Sequence, residues 1–348
     1  MTIRELARLA RLSPAAVSLA LRDNPKVSAA TRRRVQRLAA KAGYQPDARM
    51  AAMMSYLRKP RSARQTACFG VISFYDQLRP WQRSIHYTRV YEGMLQRARS
   101  LGYRLEPLWL KAPGMTLRRF RGILETRGIE GLLCFGSPDL DQIYPKELDV
   151  CAVVTQGLSI RTPLHRVMNH AYNDTITALN RLKRLGYRRP GLVLGHYEDL
   201  RSAHAHSAAF LGWCEYHLSL SQTVPVLRIN EVEPEPLLDW LKDHRPDALI
   251  FVHLHDVLKD FRAVLQRSQI RVPRDLGVLV ISPYLEDSGF DGLQENQAQQ
   301  GAWAVEMLAA RIANRDFGIP PQPHVEMVES CWVAGHSLQA SGPGSVNS

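Results

Sequence analysis

Residues 2–22 read TIRELARLARLSPAAVSLALR, and this stretch decides what the start of the chain is. Thr2 and Glu5 have capping-box spacing, and Ile3, Leu6, Ala7 and Ala10 then recur on one helical face. Arg11 and Leu12 leave a tight connection before Ser13, an N-cap residue, and Pro14, whose missing N–H costs nothing at the first helical position. Val17, Ala20 and Leu21 line one side of this second helix. Its other side offers Pro14, Ala15, Ala16 and Leu19, with no long polar side chain before Arg22. Asp23-Asn24-Pro25 ends it. Ser28 then predicts the cap of a third helix, with Val35, Leu38, Ala39 and Ala42 at three-four spacing and Gly43 just past its end.

Two helices joined by so short a turn, the second opening with small residues, have the proportions of a helix-turn-helix whose second helix enters a DNA major groove. The charge agrees. Residues 1–64 hold 15 of the 45 Lys and Arg residues but only three acids, Glu5, Asp23 and Asp47, so the net charge of +12 sits entirely in this segment. A basic module on a neutral body is the electrostatic footprint of a polyanion-binding head.

The run from Thr2 to Asp47 closely resembles the DNA-binding head of the lactose/galactose repressor family of bacterial transcriptional regulators. It carries the T-I-x-x-[LV]-A opening, S-x-x-[TA]-V-S, V-S-x-x-T-R-x-R-V and G-Y-x-P-[ND] nearly position by position. The resemblance implies that Thr2, Ser13, Ser18, Ser28, Thr31 and Tyr44 touch phosphates, which fixes register without reading sequence. Pro14, Ala15, Ala16 and Leu19 fall at the groove-facing tip, where family members place base-reading side chains. Here none can make a bidentate hydrogen bond to a base edge, which predicts apolar contact with thymine methyls, with Arg22 and Lys26 supplying polar contacts. The family's hinge helix would begin at Asp47, with Arg49, Met50 and Met53 in the minor groove and Met53 at the position that wedges between base pairs. The implied partners are double-stranded DNA with a palindromic operator, a second copy of the chain in a homodimer, and a small-molecule effector. The implied role is a repressor.

After the polar linker KPRSARQ (59–65), strand and helix patterns alternate. Strands are predicted at 68–74, 104–110 and 129–135 with helices at 87–101 and 117–125. A second series then begins with a strand at 166–168 and a helix at 171–185. It continues with strands at 190–194, 224–229, 248–252 and 278–281 and helices at 204–217, 237–243 and 257–267. Such alternation implies parallel sheets with helices on both faces and a ligand crevice at the strands' carboxyl ends. The fold class is thus an N-terminal all-α helix-turn-helix head plus an α/β, periplasmic-binding-protein-like sensor of two parallel-sheet lobes. Residues 1–45 form the head, 46–66 the hinge helix and linker, 67–338 the two-lobed effector-binding and dimerisation domain, and 339–348 a polar disordered tail. Tyr91-Glu92-Gly93, Leu185-Gly186-Tyr187-Arg188-Arg189, Arg271-Val272-Pro273 and Gly301-x-x-Ala304-Val305 fit the family's framework.

The pocket positions depart from the family. Asn169-His170 stands where many members have Asp-Asn, His206 where an Arg commonly binds the effector, Leu254-His255 for Asn-Asp, and Ser282 for Asp. The candidate effector residues are Tyr75, Asp76, Trp81, His86, Asn169, His206, His255, Ser282, Tyr284 and Asn296. Stacking on Trp81 or Tyr75 with hydrogen bonds from Asn169 and Asn296 suits a carbohydrate-like ligand. A non-sugar effector, and a regulator with no effector, are the alternatives. An α/β enzyme with a basic head is the competing class, but the chain lacks G-x-S-x-G, G-x-x-x-x-G-K-[ST], H-E-x-x-H and a G-x-G-x-x-G after the first strand. The pairs His204/His206 and His253/His255 have weak metal-ligand spacing, and the expectation is no metal, no cofactor and no catalytic residue. Five scattered cysteines without C-x-x-C spacing, no signal sequence and no long apolar run predict a reduced, cytoplasmic protein without membrane contact.

Overall fold

The computed structural model describes residues 2–21, 27–44, 67–229, 234–252, 257–286 and 288–339. Arg22, Lys26, Arg49, Met50, Met53, His255 and the tail from Ala340 lie outside the described residues. The chain divides into two units, Met1–Gln65 and Thr66–Ser348.

In the first unit, α1 (Ile3–Ala10), α2 (Pro14–Leu21) and α3 (Ala29–Lys41) share one small core. Leu6, Ala7, Ala10, Val17, Ala20, Val35 and Ala39 are buried in it, with Tyr44 packed against its edge. The capping box forms as the sequence requires: Glu5 N–H donates to Thr2 Oγ1 and Thr2 N–H to the Glu5 carboxylate, at 3.3 and 2.8 Å. Arg11 turns the chain out of α1 at φ 52°, and Gly43 does so after α3 at φ 61°. Arg34 donates to the Ala10 carbonyl and Gln36 to the Ala20 carbonyl, so α3 holds the ends of both other helices.

In the second unit, β1 (Cys68–Ser73), β2 (Arg104–Trp109), β3 (Gly131–Cys134), β4 (Ala152–Gln156) and β5 (His165–Asn169) join β11 (Val325–Val328) in a parallel sheet of order β11-β5-β4-β3-β1-β2. A second sheet of order β12-β10-β9-β8-β6-β7 contains β6 (Pro190–Gly195), β7 (Leu227–Ile229), β8 (Ala248–Val252), β9 (Gly277–Ser282), β10 (Asp291–Gln294) and β12 (Cys331–Val333). Its β12 runs antiparallel to β10, which departs from the all-parallel expectation. Central strands such as β8 and β9 are buried at every position, which is why they read as unbroken apolar runs. The predicted 166–168 strand belongs to the first lobe rather than opening the second, because it pairs with β4 and β11.

Helices α4 (Ile85–Ser100), α5 (Leu117–Arg127) and α11 (Gln297–Asn314) cover the first sheet, and α6 (Ala171–Arg184), α7 (His196–Arg201), α8 (Ala205–His217), α9 (Pro234–His244) and α10 (Val257–Arg267) belong to the second lobe. Among the described residues the chain crosses between lobes after Asn169, after Gln294 and between Val328 and Cys331. The framework glycines have a physical reason. A Cβ on Gly93 would sit 2.0 Å from the Ala298 carbonyl oxygen, and one on Gly301 2.0 Å from that of Val90, so α4 and α11 touch backbone to backbone.

Candidate functional sites: the head surface and the interlobe cavity

On the head, Ser13, Pro14 and Ala15 are exposed, and Ala16, Ser18 and Leu19 are partly so, while Val17 and Ala20 of the same helix face the core. The bare tip of α2 is thus a surface into which backbone can be brought close. Ser13 Oγ accepts the Ala16 N–H at 3.2 Å, and Ser28 Oγ accepts the Thr31 N–H at 3.3 Å while lying 2.8 Å from Thr31 Oγ1. A hydroxyl that accepts as a cap still carries its own proton, so Thr2 and Ser13 cap their helices and retain an O–H donor. Thr2 and Ser28 are exposed; Thr31 and Tyr44 are partly buried.

Between the lobes lies a cavity of about 610 Å³, a size suited to a small molecule. Of the predicted effector residues, Tyr75, His86, Asn169 and His206 line it. His206 Nδ1 is 2.8 Å from Thr175 Oγ1, whose proton is directed at the Ala171 carbonyl, so the imidazole donates there. Asn169 Oδ1 accepts from Gln300 Nε2, and Gln300 is in turn bonded to Gln156. His86 Nδ1 lies 4.0 Å from the buried Glu295 carboxylate, which accepts from Gln297 Nε2 at 2.9 Å.

The other predicted residues are placed elsewhere. Trp81 is buried in the first-lobe core and already stacked on Tyr91, ring centroids 4.3 Å apart, so its face is occupied by protein. Asp76 is exposed and paired with Lys111. Ser282 Oγ caps a turn by accepting the Tyr284 N–H, Tyr284 lies beneath the Arg89 guanidinium, and Asn296 caps α11 by accepting the Gln299 N–H. None of these five lines the cavity.

The structure supplies residues that the sequence reading missed. Arg201, the last residue of α7, enters the cavity wall and donates 2.8 Å to the Tyr87 hydroxyl and 3.4 Å to that of Tyr197, over whose ring it also lies. The Tyr87 hydroxyl is 2.9 Å from that of Tyr75. Burial raises the Tyr75 phenol above the ordinary tyrosine value, so it stays neutral. Tyr197 and Arg201 sit four apart on one helix, the signal that could have paired them. Arg201 reaches Tyr87 from the opposite lobe, and further bonds span the cleft: Tyr197 to the Pro138 carbonyl at 2.8 Å, and Arg89 to the Pro283 carbonyl and to the Glu286 carboxylate, each at 3.1 Å.

Helix α7 is anchored by Asp199, which accepts from Arg228 Nε at 2.7 Å and Ser207 Oγ at 2.8 Å and lies 3.2 Å from His204 Nδ1. Burial pushes the Asp199 carboxyl up, but these hydrogen bonds outweigh it and hold its pKa below the usual aspartate value. Ser207, Asp199 and His204 have the residue types of a hydrolase triad in the wrong arrangement: the serine proton goes to the carboxylate, and among the described residues no imidazole is bonded to the serine hydroxyl. Among the described residues no group of His, Cys, Asp and Glu could hold a metal ion, and no helix is long and apolar enough to cross a membrane.

A trihelical head with an exposed, small-residue second helix, followed by two Rossmann-like lobes around a cavity, defines the class of two-part DNA-binding regulators. Residues 2–47 match the family model described as bacterial regulatory proteins, lacI family, and residues 179–338 match the periplasmic binding protein-like domain. The chain thus carries a lacI-family DNA-binding domain and a periplasmic-binding-protein-like domain, and it is a DNA-binding transcriptional regulator. No curated protein sequence matches it.

Solved structures similar in fold include the transcriptional regulator CelR–cellobiose complex (18% identity, TM-score 0.55, covering 97% of this chain and 99% of that one). The lac repressor dimer bound to operator and the anti-inducer ONPF is 16% identical, with TM-score 0.57, 98% of this chain and 99% of that one covered. A LacI-family regulator from Rhizobium etli is also 16% identical, with TM-score 0.59, 79% of this chain and all of that one covered.

Proposed function

We propose that the chain is a cytoplasmic, non-enzymatic repressor that grips a palindromic operator as a homodimer, and that a small molecule in the interlobe cavity sets its affinity for that operator. The observation that carries the reading is the α2 tip: Ser13, Pro14 and Ala15 are exposed on a head that, together with the hinge and linker up to residue 64, holds the chain's whole positive excess. A two-fold protein reads a two-fold site, and the lac repressor neighbour is a dimer bound to its operator. The CelR neighbour is a complex with cellobiose, which supports an effector in the corresponding body. Thr2, Ser13, Ser18, Ser28, Thr31 and Tyr44 hold phosphates in this reading. The tip residues Pro14, Ala15, Ala16 and Leu19, with Arg22 and Lys26, approach base edges. Arg49, Met50 and Met53 enter the minor groove.

Selection of duplexes from a random pool by the purified full chain tests this. The expected product is a palindrome, and Met53→Ala is expected to weaken binding to that product far more than to random DNA. Equal losses on both would remove the wedge role, and recovery of no enriched duplex at low salt would overturn the reading.

A further inference from the structure

Arg201 is a cation set in the wall of a cavity with no carboxylate paired to it among the described residues. Its partners are the phenol oxygens of Tyr87 and Tyr197, with that of Tyr75 beside them; they orient a guanidinium without neutralising it, and burial keeps Tyr75 neutral. Among the described residues, the two acids of the cavity wall, Glu198 and Glu295, do not serve it. Glu295 accepts from Gln297 beside His86, and Glu198, one turn earlier on α7, makes no ion pair with Arg201. Asp199, the buried carboxylate of the same helix, is taken by Arg228, Ser207 and His204. A guanidinium has five N–H donors in a plane, and a phenol oxygen receives one from each of its two terminal nitrogens here. The remaining donors match the geometry of an oxyanion.

We propose that the cavity takes an effector bearing a carboxylate or phosphate group, with Arg201 as its counter-ion and the hydroxyls of Tyr87 and Tyr197 positioning the guanidinium. This rests on the reading of the cavity as the effector site and names the chemistry of what enters it. The neutral remainder of the ligand faces Phe135, Asn169 and Gln156. Recognition of an acid here uses a residue from α7, not the departed pocket positions at Asn169-His170, His206 and Ser282.

The test is thermal shift and calorimetric titration of the full chain with D-galacturonate, D-glucose 6-phosphate and inorganic phosphate, beside neutral D-galactose and D-glucose. At least one oxyanion is expected to bind while its neutral counterpart does not, and which one binds tells carboxylate from phosphoester from free phosphate. Arg201→Gln is expected to weaken that binding at least tenfold and Arg201→Lys less. The wild-type comparison of charged and neutral probes stands even if a variant misfolds. Equal binding of neutral and charged sugars, no binding of any oxyanion, or undiminished binding to a folded Arg201→Gln protein would overturn the proposal. Regulation is read separately. A neutral sugar that binds and shifts operator affinity sinks the charge inference alone, while an oxyanion held by Arg201 that leaves operator affinity unmoved sinks the regulatory reading alone.

Discussion

The head and the interlobe cavity present opposite kinds of surface. The head exposes short side chains whose polar groups are tied to backbone three residues away, as Ser13 is to Ala16 and Ser28 to Thr31. The cavity gathers long polar and aromatic side chains from both lobes, tied to each other across more than a hundred residues, as Arg201 is to Tyr87 and Gln156 to Gln300. The first surface is set by local chemistry. The second exists only while two sheets and three crossings hold their places, so its chemistry is as adjustable as the angle between the lobes.

The sharpest way to break this contrast is to attack the frame that the cavity needs. Gly301→Leu would drive a side chain into the Val90 backbone and is expected to destabilise the body by about 4 kcal/mol or more, at the exceptional end for one substitution. Calorimetry of the full chain would show the main unfolding transition collapse, and an unchanged transition would mean the helices can part cheaply.

Next in size is a pH effect at the crossings. Asp174 begins α6 just after the first crossing and accepts from Ser330 Oγ in the third at 2.8 Å. Burial first, and then the charges of Glu295 and Glu329, push its pKa up to about 7 against the Ser330 hydrogen bond. Between about pH 4 and about 7 the folded chain keeps a proton the unfolded chain has lost, so stability falls as pH rises and then levels off. The drop is on the order of 4 kcal/mol as an upper bound. Asp174→Asn should flatten that slope in chemical-denaturation series, and a slope that persists in the variant belongs to another group.

Smaller still is an attack on the head. Leu6 is fully buried in a core built largely from alanine and valine, and Leu6→Ala should cost about 3 kcal/mol, a large share of what so small a unit possesses. Duplex binding should fall steeply while ligand-induced thermal shifts of the body stay as in the parent chain; a parallel loss of both would join what the contrast separates.

The same contrast explains what could be read from residues alone. The head was legible because caps, connection and apolar spacing all lie within a few residues of one another. The central strands β1, β3, β8 and β9 are legible as apolar runs. β4, β10, β11 and β12 were not assigned; β11 and β12 are short and partly exposed edge strands without such a run. β5 was put in the wrong lobe because HRVMN carries no mark of its partners, one of which lies at 325–328. Residue type alone offers Trp81 as a stacking platform, whereas in the fold Tyr91 already occupies its face. Arg201 went unnoticed because nothing beside it in the chain shows that its partner would be a phenol from the other lobe.

The backbone seam between α4 and α11 has a mechanical consequence. Glu295, in the cavity wall, is followed at once by Asn296, which starts α11, and α11 is seated on α4 with no room for even a methyl group between them. There is no slack to absorb a push. Whatever displaces the chain at Glu295 must swing both rods together, as one lever whose fulcrum is a pair of glycines.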